Sequence, residues 1–379
     1  MSKIALTADR VFDGEAMRKD VAVVIEGVLI VDVVARSGLG SSVPLRDLGQ
    51  GVLAPGFIDL QVNGGGGVLL NETPTVEAVR AIAAAHRRFG TTGLLPTVIT
   101  DSQTTMWAAA DAVSEAIRDA APGVLGIHIE GPFIDPKRKG AHDPRFIRTP
   151  TEKDMTWLEG LQCGRVLITL APNCVAANMI SRLAQSGITV SLGHSDATSQ
   201  EALAAIAAGA SGFTHLFNAM SQLTGRAPGM VGAALASECW CGIIADGHHV
   251  DPVALKAAIA AKPDGGVFFV SDAMPSAAGG PDAFTLQGRP VRVVDRRLQL
   301  ADGTLAGATI TMLDTLTYGN QSLGLSVTET LRMASLYPAE AIDLDDSYGR
   351  IAPGFRANLV HLSPAPAVLE TWIDGKSSR

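Results

Sequence analysis

A chain of 379 residues, 47% hydrophobic and 18% charged, is long enough for one large barrel-type domain, with or without a small satellite, around a sizeable core. Its formal net charge of −8 argues against a sequence-independent grip on nucleic acid or on an anionic membrane, since either needs a basic surface. The best apolar run, Val21 to Val34, is broken by Glu26 and Asp32, so no segment reads as membrane-spanning.

In chain order, residues 1–52 read as short strands and turns, "KIALTADRVFDG" and then "DVAVVIEGVLIVDVV", with Asp13-Gly14 a turn signal. The start "MSKIALTADR" lacks the apolar core of a signal peptide, which points to a cytoplasmic protein. Cys163, Cys174, Cys239 and Cys241 form no C-x-x-C pair and are expected as free thiols.

From Leu53 the pattern changes to alternating strands and helices. The strands are "GFIDL", "TGLLPTVIT", "GVLGIHIEGPFI", "RVLITLAP", "ITVSLGHSD", "GFTHLFNAM", "CGIIADG" and "GVFFVSDAM". Between them, "TVEAVRAIAAAHRRFG" is an Ala-rich amphipathic helix stopped by Gly90. "SQTTMWAAADAVSEAIRDAA" is a helix with Ser102 as N-cap, and "MISRLAQSG", "SQEALAAIAAG" and "DPVALKAAIAAK" are three more. Repeated βα units with continuous apolar strands indicate a parallel sheet, and eight of them indicate a (β/α)8 TIM-like barrel over residues 53–345. The competing architecture, a doubly wound open sheet, lacks its G-x-G-x-x-G fingerprint after any strand.

After the eighth strand, "GRPVRVVDRRLQLADGTLAGA" is a β-rich insertion near residues 284–308, with Asp302-Gly303 as its hairpin turn. Helical segments then run to about Ile342. The tail, 346–379, returns to strands without helices of their own. These are expected to pair with residues 1–52 in a small discontinuous β-sandwich domain built from both termini.

Four barrel strands end in groups that bind metals or move protons: Glu130 in "HIEGP", His194 in "LGHSD", His215 in "THLFN" and Asp272 in "SDAM". The C-terminal strand ends of such a barrel converge on one mouth. Two imidazoles and a carboxylate with positions left open make a catalytic divalent site, and a free carboxylate beside it can take a proton from water. His128 shares a strand face with Glu130 and is expected to pack in the barrel interior.

The ordered series "PGFIDLQVNG", "GIHIEGPFI…KGAHDP", "SLGHSDA", "THLFNAM…LTGRAPG", "IADGHHV" and "SDAMPSAAG" resembles the N-acetylglucosamine-6-phosphate deacetylase family of the amidohydrolase superfamily. "HIEGP" with "THLFNAM" is specific to that family, whereas "PGFID" and "APGFRANLV" mark only the superfamily. The resemblance implies an acetamide hydrolase of a soluble amino-sugar phosphate. Where some members carry His-x-His after the first strand and hold two metals, this chain carries Gln61 and Asn63. That matches the members with a single metal on Glu130, His194 and His215, and neutral amides are poor ligands for a zinc-type cation.

One divalent ion per subunit is therefore expected, Zn2+ foremost, with Fe2+ or Co2+ also suited to the donor set. The resemblance further implies Asp272 as proton carrier, His142 of "KGAH" at the carbonyl oxygen, and Arg226, His249 and the backbone amides around Asn218 and Ala219 at the phosphate. It implies a homodimer in which one phosphate contact comes from the neighbouring subunit. N-acetylgalactosamine 6-phosphate, a cyclic ureide and a non-enzymatic assembly role are the alternatives. Cyclic-amide members generally bridge two metals with a carboxylated lysine, and Glu130 stands in the comparable place here.

Overall fold

The structure is a computed structural model and describes residues 3–379. Eight parallel strands form one sheet in sequential order: Phe57–Val62, Thr91–Ile99, Gly126–Glu130, Arg165–Leu170, Thr189–Leu192, Gly212–Phe213, Trp240–Ile243 and Val267–Phe269. Most of their residues are buried, because the barrel interior lies on one side and helices on the other, which explains the unbroken Val, Ile and Leu runs. The first and eighth strands approach through a parallel bridge between Val62 and Ala273 and a hydrogen bond from Ser271 Oγ to Asp59. The barrel is thus nearly closed.

A helix follows each strand. Val76–Arg87 is capped by Thr75, and Gln103–Arg118 by Ser102, whose Oγ accepts the Thr105 N–H at 3.1 Å. Two helices escape the sequence reading. Glu152–Glu159 starts with a Thr151–Asp154 capping box, and Gly229–Ala236 contains two glycines of low helix propensity. The sixth strand is only two residues long, because His215, Phe217 and Ala219 take positive φ (32°, 76°, 48°) and turn the chain out of the sheet.

The chain ends build two further sheets. One has four strands: Leu29–Ala35, Val21–Glu26, Lys3–Thr7 and Leu45–Asp47. The other has six, in which Leu359–Leu362 pairs with Val52–Pro55, so both termini share a sheet. Leu6, Val11, Val23, Ile25, Leu53, Leu359 and Trp372 form their common core. Arg46 joins the sheets by a two-pronged bond to the buried Glu370 carboxylate.

The insertion is a three-stranded antiparallel sheet, Ala283–Leu286, Arg289–Val294 and Arg297–Gln299. Its two tight turns are Gln287-Gly288 and Asp295-Arg296, with positive φ at all four residues. Asp302-Gly303, the turn expected from sequence, instead closes a smaller bridge between Gln299 and Leu305.

Candidate active site

Glu130 is the last residue of the third strand, and His194, His215 and Asp272 lie two to three residues past the ends of the fifth, sixth and eighth. All four are buried. His194, His215 and Asp272 adopt positive φ of 46°, 32° and 49°. Such backbone costs about 1–3 kcal/mol per residue and persists where the surrounding structure forces a side chain into place, commonly at functional sites.

Glu130 Oε1 lies 3.1 Å from His194 Nε2 and 3.0 Å from His215 Nε2, and the two Nε2 atoms are 3.1 Å apart. Three lone-pair atoms at these mutual separations suit a divalent ion with bonds of roughly 2.0–2.2 Å. His194 Nδ1 donates to Arg138 O at 2.9 Å, which leaves Nε2 as the ligating nitrogen. Burial alone would raise the Glu130 carboxyl, but the two imidazoles outweigh it and hold it well below the usual range. His215 is raised in turn, because Glu130 overcomes its burial. The site attracts positive charge, and its donor set fits a divalent cation.

Asp272 is pushed up to about 6, first by burial and then by the nearby Glu130 charge. Its Oδ1 accepts from Asn63 Nδ2 at 2.7 Å and from Gln61 Nε2 at 3.1 Å, and Gln61 Nε2 also lies 3.1 Å from Glu130 Oε1. Carboxylate partners fix which end of each amide faces inward. It is the N–H2 end, a donor that cannot ligate a cation. Gln61 and Asn63 thus stand in the first-strand ligand positions as hydrogen-bond donors to the two acids.

A cavity of about 400 Å³ opens onto these groups, a size suited to a small ligand. Asn63, Glu130, His142, His194, His215, Asn218, Ala219, His249 and Asp272 line it, as do Lys137, Arg138 and residues 304–307. The His142 ring is tilted 56° to that of His194 with centroids 4.3 Å apart, and its Nδ1 is 2.7 Å from Thr100 Oγ1. Burial, then the neighbouring His194, pushes it well below the usual imidazole range, so the ring is neutral. Asp246 Oδ2 accepts from His249 Nδ1 at 2.7 Å.

Of the two amides expected at a phosphate, the Asn218 N–H is committed to His215 O at 3.0 Å, and the Ala219 N–H is uncommitted among the described residues. Arg226 sits on an exposed loop, residues 222–228, and does not line the cavity. His248 faces the insertion, 3.4 Å from Arg297 Nε. His128 packs in the barrel interior between Thr97 Oγ1 and Thr169 Oγ1 (3.2 and 2.8 Å), and burial brings it down to about 4.

Sequence reasoning missed Thr100 and Asp246. The first was findable as another strand-end residue, in "VITD", and the second as the acid three residues before His249. It also missed Gly131 as a requirement of the site: a Cβ there would fall 2.1 Å from Thr100 Oγ1, and φ is +86°.

The Amidohydrolase family profile matches residues 52–377. The chain is 47% identical over 338 residues to an N-acetylgalactosamine-6-phosphate deacetylase of Shewanella sp. strain ANA-3, covering 88% of this chain and 84% of that one. It is 36% identical over 364 residues to an N-acetylglucosamine-6-phosphate deacetylase of Haemophilus influenzae, covering 94% of each. The crystal structure of N-acetylglucosamine-6-phosphate deacetylase from Pasteurella multocida superposes with a TM-score of 0.96 over 99% of both chains, at 36% identity.

Proposed function

The chain belongs to the amidohydrolase family, and from that premise we propose that it hydrolyses the acetamide of N-acetylglucosamine 6-phosphate to glucosamine 6-phosphate and acetate, a step of amino-sugar breakdown. The observation that carries this reading is the buried Glu130, His194 and His215 cluster beside Asp272 at the floor of a substrate-sized cavity. One divalent ion per chain, Zn2+ foremost, would be held by those three residues and would supply Lewis acidity toward water and the acetyl carbonyl.

Asp272 accepts the proton of the attacking water as the new C–O bond forms. It then delivers that proton to the amine nitrogen as the C–N bond breaks, so acetate and a free amino sugar leave. His142, neutral and fixed at Nδ1, presents its other nitrogen to the developing oxyanion. Gln61 and Asn63 hold the Asp272 carboxylate in register with their amide N–H groups. His249, oriented by Asp246, and the Ala219 amide meet the phosphate, since both residues line the same cavity. Arg226, outside its own cavity, would serve the phosphate of a neighbouring subunit in a homodimer.

N-acetylgalactosamine 6-phosphate is a second reading, favoured by the 47% identical Shewanella protein. Acetate release from both epimers, each with and without the 6-phosphate, tests the assignment. Faster turnover of the galacto epimer would select the second reading, and no release from either phosphorylated sugar would overturn both. Arg226→Ala should lower kcat/KM on the phosphorylated sugar by about ten- to a hundredfold, because one charged hydrogen bond to phosphate is worth roughly 1.5–3 kcal/mol. The unphosphorylated sugar should be unaffected. Equal loss on both would assign Arg226 to the fold instead.

A further inference from the structure

One turn of the inserted sheet reaches back to the residues around His142. Gln287 occupies the first position of the Gln287-Gly288 turn with φ of 51°. Turns of this kind take Asn or Asp at that position, and a residue such as Gln is strained there. Its side chain does not point to solvent. Gln287 Nε2 donates to Thr100 O at 2.7 Å and to Asp101 Oδ2 at 2.8 Å. Gln287 Oε1 accepts from Arg289 Nη2 at 3.1 Å, and the same Nη2 donates to Ala141 O at 2.6 Å.

Thr100 and Ala141 both adjoin His142. Thr100 Oγ1 bonds its Nδ1, and Ala141 precedes it in the chain. The Thr100 hydroxyl has one proton, and its nearer partner is the imidazole at 2.7 Å rather than Glu130 O at 3.4 Å. If that proton goes to Nδ1, the neutral ring carries its own proton on Nε2, the nitrogen left for the cavity. An oxyanion needs that tautomer.

We propose that Gln287 and Arg289 are positioning residues. They clamp the end of the second strand, at Thr100, to the chain at Ala141, so that the Thr100–His142 hydrogen bond keeps its length and His142 keeps its proton on Nε2. The strain of the turn is offset by the three hydrogen bonds that the Gln287 side chain makes. The inference rests on the deacetylase reading for the role of His142, but the clamp itself is a statement about geometry.

Gln287→Gly separates this role from a structural one, since the two predict different effects. Glycine relieves the positive-φ strain, which offsets the lost side-chain hydrogen bonds, so the melting temperature should stay close to the parent's. The clamp is lost, so kcat should fall by about ten- to a hundredfold, as small displacements of a catalytic group do. KM and bound metal should stay within about twofold of the parent. Long-range 1H–15N spectra, with the His142 signals assigned through His142→Gln, should show a single Nε2–H tautomer in the parent and a mixture in Gln287→Gly. Arg289→Met should reproduce the kcat loss.

Unchanged kcat with an unchanged tautomer would overturn the proposal, as would a kcat loss that merely tracks a lower melting temperature. If the parent enzyme released no acetate, the deacetylase reading would fall, and the spectra alone would still decide whether the clamp sets the His142 tautomer.

Discussion

Asp272→Asn should bind substrate with nearly unchanged affinity and turn it over about 10²–10⁴ times more slowly, because an amide cannot accept the proton of the attacking water. The replacement is close to isosteric. Its oxygen can still accept from Asn63 and Gln61, which now hold Asp272 Oδ1 at 2.7 and 3.1 Å. Loss of turnover would therefore report the missing proton acceptor rather than a collapsed site.

Stability gives an independent check with a definite sign. Burial, then the Glu130 charge, raises Asp272 to about 6, above its ordinary value of 3.8. An acid raised on folding contributes stability that is full below its unfolded pKa and is lost as pH rises through the folded value. In metal-free protein above about pH 6, Asp272→Asn should thus melt at or above the parent temperature. A cation held by Glu130, His194 and His215 would pull the carboxyl lower, so the acid limb of kcat/KM belongs at or below about pH 6, and the variant should lack it. A variant that kept near-parental kcat would remove Asp272 from the proton path.

The site was legible in the sequence to the extent that its residues sit at the ends of barrel strands. Glu130, His194, His215 and Asp272 each follow a short apolar run, and barrel geometry alone brings such positions together. The roles of Gln61 and Asn63 were half legible. Their types exclude good ligation, but the donation of both amides to Asp272 appears only in the folded chain.

What stayed hidden depends on contacts between distant segments. Gln287 and Thr100 are 187 residues apart, and nothing local to "LQGR" marks it as a support for a catalytic histidine. The turns of the insertion were equally hard to read. Gln287-Gly288 and Asp295-Arg296 lack the Asn-Gly or Asp-Gly signature, whereas Asp302-Gly303 carries it and closes only a minor bridge. The sixth strand failed for a related reason: "GFTHLFNAM" has a strand's composition, but the positive φ that aims His215 inward ends the ladder after Phe213.

Glu130→Gln should empty the metal site and cost at least roughly 10³ in acetate release, the equivalent of the several kcal/mol of charge stabilisation a bound cation supplies. Glu130 Oε1 is the only charged oxygen in the cluster, within 3.0–3.1 Å of both imidazoles. An amide in its place keeps the shape but offers a weak, neutral donor, and two histidines alone hold a divalent ion poorly. Elemental analysis should therefore give about one ion per parent chain and less than about a tenth per variant chain.

The melting curve should follow the same division. An ion that binds only the folded parent at a hundred times its Kd adds about 2.7 kcal/mol, so chelator should lower the parent's melting temperature and leave the variant's unchanged. Two tightly held ions in the parent would contradict the single-ion reading, since the inward-facing N–H2 ends of Gln61 and Asn63 leave the first-strand positions without a ligand. A variant that kept both its ion and its rate would move the metal away from Glu130, His194 and His215, and the mechanism built on that cluster would go with it.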